Sequence, residues 1–129
     1  MDLGIRNKTA FVAAASKGLG RGCAEALANE GARVAICSRH RQELEQTARE
    51  IGEKTGTDVL AVHGDVTEPA EIANAVESAV ARFGPVDILV TNAGGPPSGY
   101  FDDFSDEGWE AAFRLSFLSA VRMIRKVLP

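Results

Sequence analysis

Lys8-Thr9-Ala10-Phe11-Val12-Ala13-Ala14-Ala15-Ser16-Lys17-Gly18-Leu19-Gly20 is the stretch on which the fold turns. A short, nearly continuous apolar run reaches Ala14, a glycine-bearing turn follows, and a helical stretch continues to Glu30. That order reads strand, turn, helix. Gly31 stands where a glycine ends a helix, and Arg33-Val34-Ala35-Ile36-Cys37-Ser38 supplies a second buried strand.

The alternation repeats along the chain. From Arg41 the apolar residues Leu44, Ala48 and Ile51 recur at helical spacing, and Glu45/Arg49 and Glu50/Lys54 are expected as i,i+4 pairs on the solvent side. This second helix closes near Gly56, and residues 58–64 form a third strand. Thr67 is expected to cap a third helix with Pro69 in its first turn and an apolar stripe of Ile72, Val76, Val80 and Phe83. Gly84-Pro85 breaks the chain before a fourth strand at 86–91, and residues 93–105 make one long loop. Ser105 then caps a last helix over about 106–128, with Asp106 and Glu107 in its positive first turn. Trp109, Ala112, Phe113, Phe117, Ala120, Val121, Ile124 and Leu128 share one side of it and Leu115 and Leu118 the other, so burial on two sides is expected. Four strands nearly continuous in Val, Ile, Leu and Ala, each followed by a helix, predict an α/β fold: a parallel sheet with helices on both faces.

Composition narrows the function classes. The chain has 129 residues, one domain's worth, with 14 Lys and Arg against 18 Asp and Glu for a net charge of −4. With 45% hydrophobic and 25% charged residues it lies outside the disordered regime. The scattered cations argue against a nucleic-acid partner, and no apolar run approaches the roughly 18 residues of a membrane span. Arg6, Lys8 and the run Thr9–Ala15 imitate a signal peptide only superficially, because the strand-turn-helix pattern accounts for them better. Cys23 and Cys37 read as two small hydrophobes of a reducing compartment, so a soluble cytoplasmic protein is expected.

The glycine turn carries chemistry through its place. Between the first strand and first helix of a βαβ unit, the backbone N–H groups of Ser16, Lys17, Gly18, Leu19 and Gly20 and the helix dipole suit a pyrophosphate. A plain tight turn is the other reading of these residues alone. At the end of the second strand stand Ser38 and Arg39, with no Asp or Glu to meet the ribose 2′-hydroxyl of NAD. An arginine there, with Lys17 nearby in the turn, suits the 2′-phosphate of NADP, although either cation alone also reads as a solvated loop residue. NADP (NADPH) is therefore favoured over NAD. His40 reads as a surface residue beside Arg39 and His63 as a strand-end residue, and no Cys/His spacing suggests a metal.

Taken in order, these motifs resemble the N-terminal half of the short-chain dehydrogenase/reductase family, including its 3-oxoacyl-carrier-protein reductase type. The family's Thr-Gly-x-x-x-Gly-x-Gly turn aligns with residues 13–20, its Asp-Val with Asp65-Val66, and its Asn-Ala-Gly with Asn92-Ala93-Gly94. The resemblance spans residues 5–129 and implies a Rossmann-type doubly wound sheet, here partial, of four strands in the order 3-2-1-4. It implies that Asp65 and Val66 meet adenine, and that Asn92, Ala93 and Gly94 brace the sheet and line the ribose side. Each motif alone is also explained as an ordinary turn.

Two departures stand out. Ala14 replaces the family's first glycine, which costs about 1 kcal/mol if the turn needs positive φ. Ser116 stands where the family often has an Asn within its fourth helix, and reads as a small packing residue. The resemblance further implies a catalytic Ser and a Tyr-x-x-x-Lys on a fifth strand and helix, expected beyond Pro129. The single tyrosine, Tyr100, is followed four residues later by Phe104, so no catalytic residue is assigned. Residues 1–129 are thus expected to be the nucleotide-binding part of one Rossmann-type domain, whose whole would transfer hydride between NADPH and a small carbonyl or alcohol. A non-catalytic NADP-binding module and an assembly remnant are the alternatives. A homo-oligomer is expected, and Pro96, Pro97 and Tyr100 are candidate walls of the substrate cleft.

Overall fold

The computed structural model describes residues 1–129. Four strands, β1 (Thr9–Ala13), β2 (Arg33–Ser38), β3 (Val59–His63) and β4 (Ile88–Val90), alternate with helices α1 (Gly18–Asn29), α2 (Arg41–Thr55) and α3 (Pro69–Phe83). The strands are all parallel in the order β3-β2-β1-β4. The sequence expectation of order 3-2-1-4 is met.

Alternation along the central strands builds two cores. Phe11 and Ala13 of β1 with Ala35 and Cys37 of β2 face α3, where Ile72, Ala75, Val76, Ala79 and Phe83 meet them. Ala10, Val12, Val34 and Ile36 face the other way, onto Ala24 and Ala28 of α1 and Leu44, Ala48 and Ile51 of α2. All five residues of β1 are buried, which is why its sequence is nearly all apolar instead of alternating, and the hydroxyl of Thr9 donates to the Phe83 carbonyl at 3.0 Å. Each large aliphatic or aromatic side chain so buried contributes about 2 kcal/mol.

Local signals behave unevenly. Gly31 (φ +86) and Gly56 (φ +68) take the left-handed angles that end α1 and α2, Pro69 opens α3, and Ser105 Oγ accepts from Gly108 N at 3.3 Å. Thr67 does not cap α3. Its amide and hydroxyl both donate to Asp65 Oδ1, at 2.8 and 2.7 Å, and Glu68 takes the cap position. β4 is shorter than the expected 86–91, because its register with β1 runs only from Ala10↔Ile88 to Val12↔Val90. The charges of α2 also pair otherwise than expected. Glu50 meets Arg21 at 2.7 Å and Lys54 meets Glu25, so they tie α2 to α1 instead of stapling α2 to itself.

The last helical segment is interrupted. α4 (Asp106–Phe113) passes into a π turn at Arg114–Leu118 and resumes as α5 (Ser119–Val127). Ser119 and Met123 are its buried residues, and Met123 joins the core beneath α3. Trp109, Phe113, Phe117, Ile124 and Leu128 are exposed, so the segment is covered on one side and not on the expected two. Within this segment Ser119 and Met123 are the buried positions, and the bulky rings are left outward. No helix is long and apolar enough to cross a membrane.

Candidate functional site

The strand order reverses between β1 and β4, and the crevice at the carboxyl ends of such strands is where α/β sheets receive ligands. A cleft of about 290 Å³ opens there, its walls drawn from the segments that follow all four strands. Ser16, Lys17 and Leu19 follow β1. Ser38 and Arg39 close β2, Asp65 and Val66 come after β3, and Asn92, Ala93 and Gly94 after β4. Gly18 and Gly20, also singled out from the sequence, do not line it: Gly18 is exposed and Gly20 is buried.

The turn between β1 and α1 explains both glycines. Gly18 has φ +62, a left-handed angle. A Cβ on Gly20 would sit 2.2 Å from the Ala14 carbonyl oxygen and 2.8 Å from Asn92 Nδ2, so no side chain fits. Asn92 Nδ2 donates to that same Ala14 oxygen at 3.1 Å and joins the end of β4 to the turn. Ala14 itself has φ +48. The turn does require the positive angle, and a residue with a Cβ holds it.

Above the turn, the start of α1 is bare. Lys17 takes the N-cap position without a side-chain cap, and no acidic residue occupies the first turn. The N–H groups of Gly18, Leu19 and Gly20 find no partner in the protein, as the opening of a helix leaves them. With the helix dipole behind them they form an anion-binding concavity.

The charges at the rim are equally telling. The chain's four ion pairs use neither Lys17 nor Arg39, and both side chains are exposed beside the cleft. Ser38 Oγ accepts from His40 N at 3.1 Å, and His63 Nε2 lies 3.0 Å from the Arg39 carbonyl, so the backbone that carries Arg39 is fixed from both sides. His40 lines the cleft with Arg39 and is not merely a surface neighbour. Gly64 and Leu115 also line it. Sequence reading passed over them, because an apolar residue and a strand-end glycine carry no chemical signature.

Asp65 serves a turn with one oxygen and leaves the other free. Burial raises its pKa, but the two bonds from Thr67 and the nearby Arg39 charge outweigh that and hold the carboxyl below its usual value. It is a carboxylate at neutral pH, with Oδ2 unpartnered. Burial pushes the Cys37 thiol up to about 12, so it is chemically silent. No group of three His, Cys, Asp or Glu side chains comes together to hold a metal.

Comparison with known proteins agrees with this geometry. The family model for short chain dehydrogenases matches residues 8–129. A Streptomyces violaceoruber protein assigned as ketoacyl reductase 1 of the granaticin polyketide synthase is 40% identical over 120 residues, which are 92% of this chain and 43% of that one. Among solved structures, L-sorbose reductase from Gluconobacter frateurii, complexed with NADPH and L-sorbose, superposes with a TM-score of 0.93 at 38% identity, covering 98% of this chain and 48% of that one. An actinorhodin polyketide ketoreductase with NADPH gives a TM-score of 0.87 at 34% identity, covering 94% and 46%. The chain spans about half the length of these relatives.

Proposed function

The chain belongs to the short-chain dehydrogenase family, and from that premise we propose that residues 1–129 are the NADP(H)-binding part of a single Rossmann-type domain in a carbonyl or alcohol oxidoreductase. The observation that carries the proposal is the two cleft-lining cations that form no ion pair, Arg39 just after β2 and Lys17 in the β1–α1 turn, with no carboxylate at the end of β2. A ribose 2′-phosphate needs such a pair, whereas a 2′-hydroxyl needs an acceptor. The NADPH held by two structural relatives supports the same reading.

The residues present fit the cofactor. The unpartnered N–H groups of Gly18, Leu19 and Gly20 receive the pyrophosphate, beside Ser16, on a turn that Gly20 lets pack closely against the Ala14 carbonyl. Lys17, Ser38 and Arg39 hold the 2′-phosphate. Asp65 accepts from the adenine amino group through its free Oδ2, with Val66 against the ring. Asn92, Ala93 and Gly94 lie along the ribose side. Bound NADPH would supply a hydride to a carbonyl carbon, and the role of this chain's residues would be to hold and orient the cofactor. We assign no proton-transfer residue here, since the one tyrosine, Tyr100, lacks a lysine four positions later. The 129-residue chain tested alone is therefore expected to bind cofactor without turnover.

Calorimetric titration tests this. NADPH is expected to bind at least about tenfold more tightly than NADH, and Arg39→Ala to remove most of that preference, as the loss of a hydrogen bond to a charged group should. Equal affinities, or no saturable NADPH binding at millimolar concentration, overturn the assignment.

A further inference from the structure

Three hydrogen bonds contain the strain at Ala14. Its carbonyl accepts from Asn92 Nδ2 at 3.1 Å, the Ala15 amide donates to the Cys37 carbonyl at 3.1 Å, and the Ser16 carbonyl accepts from Thr47 Oγ1 at 2.6 Å. Asn92 belongs to the cleft wall and Cys37 to the neighbouring strand. Thr47 belongs to neither. It sits in the middle of α2, 2% exposed, and its hydroxyl reaches a residue 31 positions earlier in the chain. Helical threonines commonly return their hydroxyl to a carbonyl one turn back, as Thr55 does to Ile51 at 2.7 Å. Thr47 instead holds the segment that leads into Lys17.

A buried carbonyl deprived of its donor moves to find another. Ser16 is only 6% exposed, so water is a poor substitute, and the residues that would move with it are those of the cleft wall. A residue held at an unfavourable backbone angle persists only where its surroundings over-determine it. Ala14 stands two residues before Ser16.

We propose that Thr47 is a positioning residue of the cleft: its hydroxyl fixes the Ser16 carbonyl, and with it Lys17 and the start of α1, against the tendency of Ala14 to leave its left-handed angle. This rests on the reading of the cleft as an NADPH site. The hydroxyl matters and the bulk of the side chain does not, so Thr47→Val removes the effect and Thr47→Ser keeps it.

The experiment has two readouts. In the absence of cofactor, amide exchange at Ala15 is expected to quicken about fivefold in Thr47→Val relative to the strand amides of Val12 and Ile36, and to stay at the wild-type rate in Thr47→Ser. In titrations, Thr47→Val is expected to weaken NADPH binding about fivefold and Thr47→Ser to leave it unchanged. In an Ala14→Gly background the same Thr47→Val change should weaken binding less than about twofold, because glycine needs no such restraint. Unchanged exchange and affinity in Thr47→Val overturn the proposal, as does an equal loss in Thr47→Ser, and a full loss in the glycine background overturns the link to Ala14. If wild-type protein binds no NADPH, the functional reading fails, and the exchange data alone still decide whether Thr47 holds the turn. Should Thr47→Val not fold, an Ala14→Gly/Thr47→Val double variant that folds with Ala15 exchange near the wild-type rate sustains the proposal, and exchange quickened about fivefold in that double variant overturns it.

Discussion

Ala14 carries a backbone angle that a Cβ resists, and its cost lies in the folded state. An L-residue in the left-handed region loses about 1–2 kcal/mol, and glycine gives back about 0.5–1 kcal/mol through the greater freedom of its unfolded chain. Ala14→Gly is therefore expected to stabilise the protein by a net ~0.5–1 kcal/mol, read as a higher urea midpoint with the slope unchanged. A lower midpoint would mean that the alanine methyl contributes packing worth more than the strain. The two cysteines divide in a comparable way. Cys37 is buried with its thiol pushed up to about 12, and Cys23 is exposed on α1. Native protein should yield one reactive thiol to an aromatic disulfide reagent at pH 8, and urea-unfolded protein two, matching the cysteines in the chain. Two equivalents under native conditions would place Cys37 within reach of solvent. At this scale Ala14 was legible, because the glycine pattern around it says what belongs there. Thr47 was not, because a threonine in an amphipathic helix has no pattern that points to a carbonyl on another segment.

Helices α1 and α2 are joined by charges as well as by Ala24, Ala28, Leu44 and Ile51. Glu25 is held below its usual value by the hydrogen bond and charge of Lys54, and Glu50 by hydrogen bonds from Gln46 and Arg21. Both carboxyls have lowered folded-state values, so their contribution is present at neutral pH and is lost as pH falls below the ordinary 4.5. The urea midpoint is expected to decline between pH 5 and pH 3, and the Glu25→Gln/Glu50→Gln variant to decline less steeply over that interval. Asp65, whose value is also lowered, leaves a residual slope. Both carboxyls remain partly open to solvent, so the wild-type advantage should shrink in 1 M salt as screening predicts, and a difference insensitive to salt would refute an ionic origin. The four strands and their helices could be read from punctuation and periodicity, since every break but the one between β2 and α2 falls at a glycine or proline. The partners of surface charges could not, because i,i+4 spacing is visible in one dimension and the Glu50–Arg21 pair exists only after α1 and α2 have packed. The π turn at Arg114–Leu118 was invisible for a related reason: the apolar spacing on either side fits an unbroken helix, and only the seating of Met123 beneath α3 shows where the extra residue goes.

At the scale of the molecule, the cleft and the aromatic side of the last helical segment are separate surfaces. The cleft lies at the carboxyl ends of the strands, and Phe113 and Phe117 line no part of it. Those two rings stack with centroids 5.1 Å apart while each is more than half exposed, at 52% and 56%. Trp109, Ile124 and Leu128 extend the same apolar side. Apolar surface of this extent is a contact surface in waiting, and repetition of the chain about a two-fold axis would let the stripe meet itself. Sedimentation equilibrium is expected to show a homo-oligomer at micromolar concentration. Phe113→Asp/Phe117→Asp should weaken association by about a hundredfold or more, since buried aromatic anchors carry at least about 2 kcal/mol each at such contacts. The variant should keep its NADPH affinity, because its cleft residues and the hydrogen bonds that hold them are untouched. A wild-type monomer would remove self-association as the role of this surface. An oligomer that survives both aspartates would move the contact elsewhere, and loss of NADPH affinity together with association would show that the cleft depends on assembly.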